Sequence, residues 1–207
     1  RCVGVMTAFL ERIDAVTASL KAIINPPAPE RCLDLARQGD EQLHAGNYRG
    51  WLHGLPIAIK DLSNAQGFPT TSGSALFENY MPSSDDPHVR RIRATGGIVI
   101  GKTNVPEWGL GGHTENSVFG LTGNAHDRAL SAGGSSGGAA TAVASHMLPL
   151  ADGSDMMGSL RTPAAFQSLV GFRPTPDAVP VPTEMDPMGL GLVSIGPLAR
   201  NVADATA

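Results

Sequence analysis

Apolar residues recur every three or four positions from Met6 through Phe9, Leu10, Ile13, Val16 and Leu20 to Ile24, which puts them on one face of a helix. The pattern predicts an amphipathic helix over residues 3–24, stopped by Asn25-Pro26-Pro27. A weaker helical pattern runs from Glu30 to about Ala45 and stops at Gly46-Asn47. Leu55-Pro56-Ile57-Ala58-Ile59-Lys60 is a short apolar run of the kind that forms a buried strand, and it ends on a lysine. Asp86-Pro87 supplies a cap and a first-turn proline for a helix that Gly96-Gly97 closes. The β-branched Ile98-Val99-Ile100 then predicts the next strand.

In the second half, Gly137 to His146 is rich in Gly and Ala and predicts a helix packed closely against a neighbour. Leu148-Pro149-Leu150 is expected as a strand leading into Gly153-Ser154-Asp155, Thr162-Pro163-Ala164-Ala165 as a helix start, and Val170-Gly171-Phe172 as a further strand. Pro174, Pro176, Pro180, Pro182 and Pro187 make residues 174–190 a crossing loop, and the last residues, Asn201 to Ala207, open another helix. Helices alternating with short buried strands predict a layered α/β domain without internal repeats.

At 207 residues and 42% hydrophobic content the chain has ample material for a core, so global disorder is excluded. A formal charge of −4 and a pI of about 5.8 argue against nucleic acid as a primary partner. The stretch from Ala129 to Ala151 lacks Asp, Glu, Lys and Arg, but its Gly, Ser, His146 and Pro149 fit a buried segment better than a membrane span. Cys2 and Cys32 form no disulfide framework, and the histidines show no H-E-x-x-H spacing. No metal or cofactor is therefore expected, and the default location is a reducing, cytoplasmic one. The chain begins without Met and ends as a helix starts, so a fragment of a longer protein is expected.

Two motif matches fail on context. Gly96 to Thr103 satisfies G-x-x-x-x-G-K-[ST], but its middle positions are the Ile98-Val99-Ile100 strand, and Pro106 falls where a helix should run. Gly133-Gly134-Ser135-Ser136-Gly137 satisfies G-x-S-x-G, yet Arg128 to Ala132 is a poor strand and only His146 follows; a nucleophile elbow stays a lesser alternative.

Three segments remain unusual: Gly54 to Asp61 with Lys60, Gly133 to Gly138, and Asp152 to Phe166, which contains Gly158-Ser159-Leu160-Arg161-Thr162-Pro163-Ala164-Ala165. In this order, and supported by Gly101 to Trp108, Gly171 to Thr175 and Gly196 to Arg200, they closely resemble the amidase signature family of serine hydrolases. The resemblance covers nearly the whole chain. It implies a mixed β-sheet flanked by helices on both sides, here incomplete, because family members run to about twice this length. Residues 1–207 would then be a single domain holding the catalytic N-terminal half.

The resemblance further implies a Ser–Ser–Lys triad: Ser159 as nucleophile, Ser135 as bridge after a cis Gly134–Ser135 bond, and Lys60 as base, with the two serines 24 positions apart. A serine hydroxyl needs a base to take its proton, and lysine can be that base only when burial lowers its pKa from ~10.4 toward neutrality. By analogy the backbone N–H groups of Met156, Met157, Gly158 and Ser159 form the oxyanion hole, and Ser136, Asp155 and Arg161 support the loop. Where members commonly have Thr-Gly-Gly-Ser, this chain has Met156-Met157-Gly158-Ser159, and the two methionines are expected either to pack in the core or to shape an acyl pocket. Ala132 replaces a frequent proline and Gln167 a frequent cysteine.

The implied activity is hydrolysis of a small-molecule carboxylic amide through an acyl-enzyme, without cofactor, with a homodimer among the options. Two alternatives stand beside it. One is the A subunit of a glutamine-dependent aminoacyl-tRNA amidotransferase, disfavoured by Val105 to Leu110 and by Pro180-Val181-Pro182. The other is a non-catalytic binding or scaffold member, suggested by the Met-Met pair and the short chain.

Overall fold

The computed structural model describes residues 1–182, 185–186 and 189–206. Thr183, Glu184, Pro187, Met188 and Ala207 lie outside the described residues, and with them part of the expected crossing loop and the end of the expected last helix. Helix α1 (Cys2–Leu20) is followed by strand β1 (Ile23–Ile24), helix α2 (Pro29–His44) and strand β2 (Pro56–Lys60). Next come α3 (Pro87–Ala94), β3 (Ile98–Thr103), α4 (Gly137–Ala144), β4 (Leu150–Asp155), α5 (Arg161–Phe166), β5 (Val170–Gly171), β6 (Ser194–Ala199) and α6 (Val202–Thr206).

The first helix is shorter than its periodicity predicts. Lys21 takes a left-handed conformation (φ 48°) and returns its N–H to Thr17 O, which ends the helix. Ile23 and Ile24 then turn their apolar side chains to a different use, pairing antiparallel with Thr103 and Lys102 of β3.

Among the described residues, two three-stranded sheets organise the molecule. In the first, β3 lies centrally, antiparallel to β1 and parallel to β2, with α3 making the parallel crossover. The register shifts between Ile57, opposite Val99, and Ile59, opposite Lys102, so β3 carries one extra residue there. In the second, β6 runs antiparallel between β4 and β5. The first sheet's edge strand β2 packs against β4, and the Lys60 N–H donates to Asp152 Oδ1 at 2.9 Å across that seam.

Helix α4 is buried from Gly137 to Val143 and sits under both sheets. Its Gly and Ala residues allow close backbone approach: a Cβ on Gly138 would lie 2.3 Å from Asn104 N. Arg200 donates to the carbonyls of Val143 and Leu148, closing the helix's far end. Around it Met6, Ile13, Ile23, Ile100, Met147, Leu148, Leu160 and Leu198 form the main core, while Val89 of α3 packs with Ile57, Ile59, Phe68 and Val99 in a second cluster.

Candidate active site

Strand β2 delivers Lys60 into the seam between the sheets. The residue is 1% exposed, and its Nζ donates to Ser135 Oγ at 2.8 Å, Ser136 Oγ at 2.8 Å, Ser154 Oγ at 2.9 Å and Ser154 O at 3.3 Å. All four acceptors are neutral oxygens. Burial therefore dominates and lowers the Lys60 pKa from 10.5 to about 7, against the opposing charges of Asp152 and Asp155. An amine in that range exchanges its proton near neutral pH.

The Gly-Ser block presents Ser135 after a cis Gly134–Ser135 peptide bond, immediately before α4 begins. Ser136 N–H donates to Ser159 O at 3.0 Å, which ties this block to the loop that carries Ser159. Ser159 is half-buried and shares a cavity of about 650 Å³ with Ser135 and Ser154. Among the described residues no hydrogen bond joins the Ser159 and Ser135 hydroxyls.

Asp155 holds the loop that follows β4. Fully enclosed, its carboxylate accepts from the N–H groups of Gly158, Leu160 and Arg161, and from the side chains of Arg161 and Arg173. Burial alone would raise its pKa, but Arg161, the Gly158 N–H, Arg173 and the Leu160 N–H together hold it well below the usual carboxylate range. Arg173 also donates to Asp155 O at 2.6 Å, a role that the sequence reading did not assign.

The same geometry refines the expected oxyanion hole. The Gly158 N–H is committed to Asp155 Oδ1 at 2.8 Å, whereas those of Met156, Met157 and Ser159 have no partner among the described residues. Core packing of the methionines is corrected too, for Met156 is 48% and Met157 90% exposed, and both line the cavity. Neither has a positive φ; only Gly158 does, at 102°. Leu62, Trp108, Leu110, Met185 and Val193 complete the apolar wall, and no described lining residue is ionisable.

A second layer lies behind the lysine. Asp152 receives the Lys60 N–H on Oδ1 and faces His88 Nε2 at 3.3 Å on Oδ2. Lys102, also fully enclosed, pairs with Asp61 at 3.2 Å and donates to Ser63 O and Thr70 Oγ1, so its place in the phosphate-loop pattern reflects a buried ion pair. The other departures are mutually satisfied: Gln167 donates to Ala132 O and Thr141 Oγ1 and accepts from Ala125 N–H. Sequence reading missed Ser154 and Asp152 as neighbours of Lys60. Their alternation along β4 puts both on one face, the only signal available.

Among known proteins, the family model described as Amidase matches residues 4–207. The A subunit of glutamyl-tRNA(Gln) amidotransferase from Acidothermus cellulolyticus is 42% identical over 97% of this chain and 39% of its own length. The peptide amidase of Stenotrophomonas maltophilia superposes with a TM-score of 0.87 at 32% identity, covering 100% of this chain and 43% of that one. A bacterial aryl acylamidase of the amidase signature enzymes gives a TM-score of 0.92 at 30% identity, over 99% of this chain and 43% of that one. The chain thus spans about two-fifths of the length of the relatives it matches.

Proposed function

The chain belongs to the amidase family, and from that premise we propose that it is the catalytic N-terminal half of a longer amide hydrolase acting through an acyl-enzyme on Ser159. The observation that carries this is the enclosed Lys60 amine, bonded only to neutral oxygens and 2.8 Å from Ser135 Oγ. In the neutral state that contact carries a proton from Ser135 to Nζ, while Ser135 takes the proton of Ser159 as its Oγ attacks the amide carbonyl. The oxyanion is met by the unpartnered N–H groups of Met156 and Met157, with that of Ser159 beside them. A contribution from Gly158 would require its bond to Asp155 to give way. Collapse breaks the C–N bond, Lys60 returns the proton through Ser135 to the leaving nitrogen, and water releases the acid.

The uncharged cavity wall supports an amide whose acyl part is neutral and apolar. Ser159 is expected to take the adduct of a serine-reactive fluorophosphonate, located by peptide mapping in the intact protein; an adduct on Ser135 would overturn this assignment. A second reading, the A subunit of an amidotransferase that works with protein partners, draws support from the 42% identity to such a protein. Glutamine hydrolysis that appears only with a co-purified partner would favour it. Failure of any probe to label Ser159 would favour the scaffold reading.

A further inference from the structure

We propose that the buried His88–Asp152 pair is a positioning device for Lys60, in which Asp152 fixes the end of β2 through one oxygen and holds Lys60 protonated to higher pH through its charge. The inference rests on the reading of Lys60 as the base, and it adds residues to which no role in the reaction has been given above.

The geometry is specific. Asp152 stands on β4 and reaches across the seam, one oxygen receiving the Lys60 N–H at 2.9 Å and the other facing His88 Nε2 at 3.3 Å. Lys60, His88 and Asp152 are 1%, 4% and 8% exposed, so solvent screens their interaction little. His88 Nδ1 has no partner among the described residues, which suits a ring that donates from Nε2.

The surrounding charges leave Asp152 as the carboxylate with most influence. Asp155, also on β4, is matched by Arg161 and Arg173. Asp61, next to Lys60, is matched by Lys102 of β3, and Asp86 at the start of α3 acts on Lys102. Helix α4 offers no titratable group. Among the described residues the side chain bonded to Asp152 is an imidazole and not a cation, and although its charge also acts on Lys102, it is the leading carboxylate influence on the Lys60 ammonium. A negative charge stabilises that ammonium; removing it lets the amine lose its proton at lower pH.

The test follows the rate of Ser159 sulfonylation by phenylmethanesulfonyl fluoride in the intact protein over about pH 5–10, a range spanning the shifted and ordinary lysine values. Asp152→Asn keeps an acceptor for the Lys60 N–H and removes the charge. It should move the acid limb down by about 1 pH unit and leave the high-pH plateau within roughly threefold. Asp152→Ala should lower the plateau as well. His88→Leu removes the donor that disperses the carboxylate's charge and should move the limb up, and His88→Gln should restore it. These two variants keep the proposal testable if Asp152→Asn does not fold. A limb that stays put in both Asp152→Asn and His88→Leu, while Lys60→Ala abolishes labelling, would overturn the positioning role alone. Undiminished labelling of Lys60→Ala would overturn the base assignment, and this inference with it.

Discussion

A lysine whose pKa falls from 10.5 to about 7 on burial changes both activity and stability with pH. On the proposed reading of the neutral amine as base, kcat/KM should rise through about pH 7 and level off above it; a rise only near lysine's ordinary value would contradict that mechanism. Lys60→Arg should be inactive, since a guanidinium does not deprotonate in this range. The stability effect is separate. Between about 7 and 10.5 the unfolded chain holds a proton that the folded one has released, so this group's contribution to stability grows as pH rises across that window. Lys60→Met removes the buried charge and should raise thermal stability below pH 7, by roughly 1–4 kcal/mol in chemical denaturation, while abolishing turnover. Ser135→Ala should slow acylation less than Ser159→Ala, because water can bridge to Lys60 but nothing replaces the nucleophile. Met157 stands 90% exposed on the cavity wall with ordinary backbone angles, so Met157→Gly should leave the melting temperature nearly unchanged while weakening KM for amides of bulky apolar acids.

The start of helix α4 tolerates little added bulk. A Cβ on Gly138 would meet Asn104 N at 2.3 Å, Asn104 O at 2.6 Å and Ala22 O at 2.8 Å, all backbone atoms that cannot step aside. Gly138→Ala should therefore cost more than about 2 kcal/mol in urea unfolding, whereas Gly112→Ala, with nothing within 4 Å, should cost far less. How well each segment could be read from sequence follows from what its residues encode locally. Strand β2, the first half of β3 and helices α2, α3 and α4 were readable because apolar runs and capping residues lie at or near their limits, whereas β3 runs on past Ile100 to Thr103. Strand β6 was not, since Gly196-Pro197 reads as a turn. Yet Gly196 is needed where Phe172 O would lie 2.1 Å from a Cβ, and Pro197 still offers its carbonyl to the Phe172 N–H. The end of α1 was overrun because Ile24 keeps the helical period while serving a strand. Lys60, Ser135 and Ser159 were readable only through a family resemblance; Asp152 and Ser154 lie inside one of the segments that carry it, but their approach to the lysine, and that of His88 to Asp152, comes from folding.

The residues gathered around Lys60 are drawn from both sheets. Lys60 belongs to the first, Asp152 and Ser154 to the second, and the Ser135–Ser136 turn enters from α4 beneath them. The cavity also carries Trp108, Leu110 and Met157 at 45%, 79% and 90% exposure, more apolar surface than a closed pocket leaves in water. On the proposal that residues 1–207 are half of a longer hydrolase, they should by themselves bind an apolar dye more strongly than the longer protein, measured by fluorescence at equal concentration. Equal binding would show that this wall stays open in the longer protein.

The Lys60 amine is joined to Ser154 at 2.9 Å and its backbone N–H to Asp152 at 2.9 Å, so the lysine is stitched to the opposite sheet at both ends of the residue. Activity thus becomes a vernier for the alignment of the two sheets: a slip of an ångström along their shared edge separates donor from acceptor while every strand and helix stays formed. Catalysis in this fold should fail by misregistration before it fails by melting.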